Sequence, residues 1–319
     1  MLKTIAKRIL IFIPMILVIT FLIYGAMELT PGDPLSYMMA PEDLARMTES
    51  QLQAARVAMG LDAPFVIRYF RWLFDILQGN LGYSLTSGRP ISVILAETIP
   101  ATLELTLSAL FISTVLGTVL GVVSTLKKGS LTDGVLSVTG VIGLSIPQFF
   151  FGMVCIIVFA LNLNVLPVGG RIMPGQLHWY ERLKYIIMPA FVLGISQTAA
   201  VMRYARSSML DNINKDFVKT ARSKGIPEWR INMLHGFRVS LTPVVVLIGF
   251  RLPSLIGGAV VIESLFQWPG VGMTFKSAVL GQNYPLVMTI ALLTVIMTMV
   301  ASLLIDIFTR LLDPRVNLK

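Results

Sequence analysis

ILIFIPMILVITFLIYGAM, residues 9–27, runs without a single charge. Its length matches the roughly 20 residues a helix needs to cross the hydrocarbon of a bilayer. Lys3, Lys7 and Arg8 precede it, as they would precede a secretory signal, but the run closes on Glu28 and TPGDP at 30–34 rather than on a small-residue cleavage site. It therefore reads as a retained first transmembrane span. The same pattern recurs: 105–126, 134–170, 185–202 and 277–305 are also charge-free, and 239–262 is apolar except for Arg251, which cuts it into two halves. Six spans result, and the chain is expected to be an all-α, polytopic integral membrane protein.

Composition agrees. Of 319 residues 55% are hydrophobic and 13% charged, about half the charge of an ordinary soluble domain. The formal charge of +9 lies mostly just outside the apolar runs, where lysine and arginine mark cytoplasmic ends. That placement points to membrane lipid and away from a nucleic-acid partner. Cys155 is the sole cysteine, so no intramolecular disulfide forms, and His178 and His235 stand far apart in the sequence. No metal site, catalytic constellation or cofactor motif is expected. The counts place the N-terminal tail, Lys127–Lys128 and the link from Arg203 to Arg238 inside, with eight basic residues against three acids in that last link. Both termini are then cytoplasmic. Arg171, Arg182 and Lys184 dissent, because they fall in a link assigned outside.

The chain is expected to divide into a tail and first helix (1–30), an extracytoplasmic segment (31–98), a five-helix core (99–312) and a tail (313–319). Within the outer segment, PFVIRYFRWLFDIL at 64–77 repeats Phe65, Tyr69, Trp72, Leu73 and Ile76 at helical spacing, which predicts an interfacial helix with aromatic anchors. Gly117 with Gly121, and Gly140 with Gly143, offer small faces for close helix packing. Three charges fall in or beside spans and are candidates for the translocation pathway: Arg251, Glu104 and Glu263. Arg251 sits mid-span, where insertion costs about 2.5–3.5 kcal/mol, so it either faces the cavity or pairs structurally, for instance with Glu104. Glu263, followed by Phe266, Trp268 and Pro269, suits a gate or a turn at the end of the fifth span.

One soluble-looking stretch stands out among these runs, FVKTARSKGIPEW at 217–229. Asn214 or Asp216 can cap a helix here, Phe217, Val218 and Ala221 form a small apolar face, Gly225 suits the helix end, and Pro227 opens a second helix. Helix, turn, helix with a basic rim suits docking into a groove on a soluble partner, and equally an ordinary basic loop.

Continued as TARSKGIPEWRINMLHGFRVSLTPVV, the stretch resembles the cytoplasmic EAA loop of ABC-importer permeases, its near-fixed glycine falling on Gly225. TPGDP, GLDAPFVIRYFRWL, GNLGYSLTSGRPI, ETIPATLEL, LSIPQFF, GGAVVIESLFQWPGVG and LLDPRV, spread from 30 to 316, resemble the dipeptide and oligopeptide members. The loop reads Lys219, Thr220, Ala221 where the general pattern has Glu-Ala-Ala, and Pro227 where a serine is common. The resemblance implies a type I ABC-importer permease fold in the cell (inner) membrane. Coupling would run through Asp216, Phe217, Val218, Lys219, Thr220, Ala221, Arg222, Lys224, Gly225 and Glu228, within a loop at 211–238. It further implies a second permease, two ATP-binding subunits, an extracytoplasmic solute-binding protein and a peptide substrate. The chain has no GxxxxGK[ST] loop of its own. Nickel, glutathione, opines or oligosaccharides are alternative cargoes within the family, and an ATP-independent channel is the rival from another class.

Overall fold

The computed structural model describes residues 2–29, 35, 39, 41–58, 62–171, 179–213, 215–231, 237 and 259–312. Among these the chain is helical, with a single isolated β-bridge between Tyr83 and Pro90. It divides into two compact units, one of Met1–Pro100 with Gly270–Met299, the other of Ala101–Pro269 with Val300–Lys319.

In the first unit, α1 (Leu2–Glu28) is followed by the short α2 (Pro41–Ala45), α3 (Glu49–Ala58) and α4 (Phe65–Leu77). Helix α4 forms where the spacing predicts it, but its aromatic stripe turns toward α1 rather than outward. Phe65 and Tyr69 meet Phe21 edge-on at 5.3 Å, and Trp72 lies 5.4 Å from Tyr24. The cause is polar. Buried Tyr69 needs a partner for its hydroxyl and finds Thr20 Oγ1 at 2.8 Å and the Leu17 carbonyl at 3.1 Å. The same unit holds the first turns of α5 (Ile91–Leu126), α11 (Val271–Leu280) and most of α12 (Tyr284–Leu312). Ile91, Leu95, Val271, Leu286 and Ile290 form its apolar core. Buried Asn283 donates to Ser84 Oγ at 2.6 Å and accepts from the Leu85 amide at 3.2 Å.

In the second unit α5 continues to Leu126 and is followed by α6 (Leu131–Ser145), α7 (Gln148–Cys155) and α8 (Trp179–Ile213). Helix α7 runs on in π-helical geometry over Ile156–Asn162. The core gathers Leu105, Ala109, Val192, Leu193, Ile262, Phe266 and Trp268. Glycine sets the approach of α5 to α8. A Cβ on Gly117 would lie 2.6 Å from Val201 Cβ, and one on Gly121 2.7 Å from both Ala205 Cβ and the Met202 carbonyl. Gly140 has only the flexible end of Met202 before it, and Gly143 faces open space, so close packing rests on the first pair.

Among the described residues four helices are long and apolar enough to cross a membrane: Leu10–Glu28, Ile91–Leu126, Tyr180–Ile213 and Tyr284–Ile307. Two expected runs are redrawn. The run 134–170 breaks at Ile146–Pro147, where Ile146 is extended at ψ 125°, because the proline ring crowds a preceding helical residue. The run 277–305 opens on the end of α11 and passes through a turn at 281–283, and α12 starts with Pro285 in its first turn. The fifth run, 239–262, and Arg251 with it, lies outside the described residues except for a helical stretch at 259–265.

Candidate functional site

The basic segment folds as two short helices, α9 (Asp216–Ser223) and α10 (Glu228–Arg230). The cap is not the expected one. Lys215 occupies the N-cap position without a side-chain bond, Asp216 is the first helical residue, and Asn214 lies outside the described residues. Asp216 still favours the helix start through the dipole, and it takes Lys219 Nζ at 3.0 Å.

The turn is closed by two backbone bonds, Gly225 N–H to the Arg222 carbonyl at 2.9 Å and Ile226 N–H to the Ala221 carbonyl at 3.3 Å. This double closure is the Schellman arrangement, which requires a left-handed residue after the cap. Gly225 supplies it with φ +74°. Ile226 then folds back onto Val218, Ala221 and Ile231, the first and last of these fully buried. Of the small apolar face read from sequence, Val218 and Ala221 are consumed by this miniature core and are not presented outward. The physical reason is the Schellman turn itself, which returns Ile226 to the last turn of α9.

What remains outward is a mixed surface. Phe217 is 39% exposed and Trp229, which sequence reasoning passed over, is 66% exposed, with the Arg230 guanidinium 5.8 Å from its ring. Thr220 and Lys224 are exposed too. Arg222 donates to both Glu228 oxygens, at 2.6 and 3.2 Å, tying the two arms across the turn. The hydrogen bonds from Arg222 hold the Glu228 carboxyl below the usual range and raise the guanidinium in return.

A second charged group sits near the start of the second unit's part of α5. Glu104 Oε2 accepts from Arg171 Nε at 3.0 Å, Arg171 Nη2 at 2.7 Å and Arg182 Nη2 at 2.7 Å. The partner weighed from sequence was Arg251. Arg251 lies outside the described residues; among those described, the partners are two of the three cations that dissent from the topology count, and their charge is partly answered by this acid. Arg171 also lies 6.0 Å from the Trp268 ring. Trp268 Nε1 donates to the Ala101 carbonyl at 2.8 Å, and fully buried Glu263 accepts from Thr102 Oγ1 at 2.6 Å. Glu104 and Glu263 thus belong to one connected cluster.

A third group ties helix ends. Asp133 accepts from Arg206 Nε at 3.0 Å and Nη2 at 2.9 Å, from Ser124 Oγ at 2.5 Å and from the Gly129 amide at 3.1 Å. The Arg206 and Ser124 bonds hold its carboxyl far below the usual range. Among the described residues no cluster of three or more His, Cys, Asp or Glu could hold a metal.

These features sit in a chain whose residues 114–318 match the family model for the inner membrane component of binding-protein-dependent transport systems, and whose residues 1–106 match that for the N-terminal part of such membrane components. The chain belongs to that family. Similar proteins cover it end to end. The permease is 35% identical over 315 residues to the oligopeptide transport system permease protein AppB of Bacillus subtilis, spanning 98% of both chains. It is 30% identical to the dipeptide transport system permease protein DppB of Escherichia coli K12 over the whole of both. In structure it is similar to a chain of the MetNI methionine ABC transporter in an inward-facing conformation. The TM-score is 0.58 at 17% identity, over 70% of the permease and 99% of that chain. The importer-permease fold expected from the sequence is the one observed.

Proposed function

We propose that the permease is the transmembrane subunit of an ATP-driven importer of di- or oligopeptides. In this reading it forms the pathway with a second, homologous permease. Two ATP-binding subunits and an extracytoplasmic solute-binding protein complete the assembly. The observation that carries the coupling role is the α9–α10 unit, which has its own core yet leaves Phe217 and Trp229 outside it. Exposed aromatic groups beside arginine have the composition of an interface anchor. End-to-end similarity to proteins named as peptide permeases supports the substrate class.

Coupling would act as follows. Phe217 and Trp229 seat in a groove of the ATPase, Lys219 and Lys224 meet its acidic rim, and Gly225 holds the turn while the Arg222–Glu228 pair keeps the two arms together. Asp216, Val218, Thr220 and Ala221 build the element rather than the contact. The chain itself hydrolyses no ATP, and both termini are cytoplasmic. The 31–98 segment receives the binding protein. We assign Glu104 and Glu263 to holding helix ends together, and Arg251 to the peptide carboxylate.

The test is reconstitution with the ATPase, second permease and binding protein in proteoliposomes. Uptake of a labelled dipeptide that requires internal ATP is expected; uptake without ATP would overturn the reading in favour of a channel. With Arg251→Leu, uptake unchanged at equal insertion would remove the carboxylate role alone.

A further inference from the structure

Helix α4 has three faces rather than two. At 100° per residue, Phe65, Tyr69, Trp72 and Ile76 share the face packed toward α1. Val66, Ile67, Phe70, Phe74 and Leu77 share a second face, all exposed and all apolar. Arg68, Arg71 and Asp75 share the third. An exposed apolar stripe on a membrane-embedded chain meets acyl chains, so the charged stripe beside it lies at headgroup level.

That charged stripe borders a recess, with Arg71 exposed at its rim. The recess is a half-open cavity of about 400 Å³ bounded by α1, α4, the 80–85 turn and the start of α12, all within the first unit. This is within the size range of small-ligand sites. Arg68 is already committed, to Glu28 at 2.5 Å and to the Ala63 carbonyl at 3.1 Å. Arg71 and Asp75 take part in no ion pair among the described residues, although they stand one turn apart on the same wall. The rings of Tyr24 and Trp72 adjoin them, and Ile76 and Met288 supply apolar lining.

A wall that offers one cation, one anion and two aromatic rings a helical turn apart is complementary to a ligand carrying an anion and an amine in close sequence. We propose that this cavity binds the headgroup of a zwitterionic phospholipid. The phosphate pairs with Arg71, the ammonium pairs with Asp75 and rests on the faces of Tyr24 and Trp72, and an acyl chain follows the Ile67–Phe74 stripe. A guanidinium forks onto phosphate oxygens, and an ammonium against a ring gains from desolvation, so the two contacts act together on one molecule.

The experiment is native mass spectrometry of the full chain released from nanodiscs of equimolar phosphatidylethanolamine and phosphatidylglycerol. One retained phosphatidylethanolamine per chain is expected, with retention about tenfold lower in Arg71→Ala and in Asp75→Asn, the loss of one charge-assisted contact each. Arg71→Lys keeps the charge and is expected to keep most of the retention, which separates lipid binding from a folding defect. Equal retention of phosphatidylglycerol, or retention unchanged in both variants, overturns the proposal. So does displacement of the lipid by millimolar dialanine, which would assign the same charges to a free peptide. The readout involves no transport, so its failure leaves the importer assignment standing.

Discussion

Replacing Gly225 isolates the turn from everything around it. A Cβ there would meet nothing within 4 Å, so the change costs no steric clash. The whole cost is backbone, since φ is +74° and a left-handed conformation costs a residue with a Cβ about 1–2 kcal/mol. In the free permease that strain is relieved by opening the two bonds to Arg222 and Ala221. In the docked state it cannot be relieved, so coupling is expected to fall by up to about 5- to 30-fold in Gly225→Ala. Asparagine tolerates the left-handed region, so Gly225→Asn should fall between parent and alanine, and β-branched Gly225→Val below alanine. The assay is peptide taken up per ATP hydrolysed in proteoliposomes holding the complete transporter, with thermal unfolding measured alongside. Unfolding should not move, because the site is exposed. Parental coupling in Gly225→Ala, or Gly225→Asn no better than Gly225→Ala, would refute the reasoning.

Three further outcomes are expected. Trp229→Ala should weaken association with the ATPase by about 2 kcal/mol or more, as a truncated interface anchor does, with no change in Tm, measured by co-purification and thermal shift. Glu104→Gln leaves half-buried Arg171 and exposed Arg182 without their shared acid, and should cost about 1 kcal/mol, near the upper end for surface pairs; a Tm equal to the parent's would exclude it. For Asp133 the folded pKa is depressed, so its contribution is complete above the unfolded value near 3.9 and is lost as pH falls through the folded value. Stability is therefore flat from pH 8 to about 5 on this account and declines in acid. Arg206→Ala should flatten that acid decline, read by thermal unfolding across pH.

Periodicity and charge made most of the fold legible. Residues 9–27 became α1, and the aromatic spacing of 64–77 became α4, because local pattern alone dictates both. Which neighbour an apolar face meets is a tertiary fact. Val218 and Ala221 have the same spacing whether a partner or the chain's own Ile226 and Ile231 covers them, and the covering residues arrive only after the turn. The partners of Glu104 among the described residues lie 67 and 78 residues away. The one available signal was negative, namely that Arg171 and Arg182 violated the topology count. Trp229 was visible as a letter but carried no periodicity, since α10 is a single turn.

The break at Ile146–Pro147 bears on how the subunit stands among its neighbours. Pro147 has no amide to give the end of α6, and the first amides of α7 have no preceding turn to bond. Gln148 reaches across to Ser196 Oγ at 2.6 Å, so polar groups persist at this level of the bundle. Hydrocarbon supplies no partner for such backbone groups. The side of the permease that carries this break is therefore turned to protein or to a wetted passage, and lipid is left to the unbroken helices.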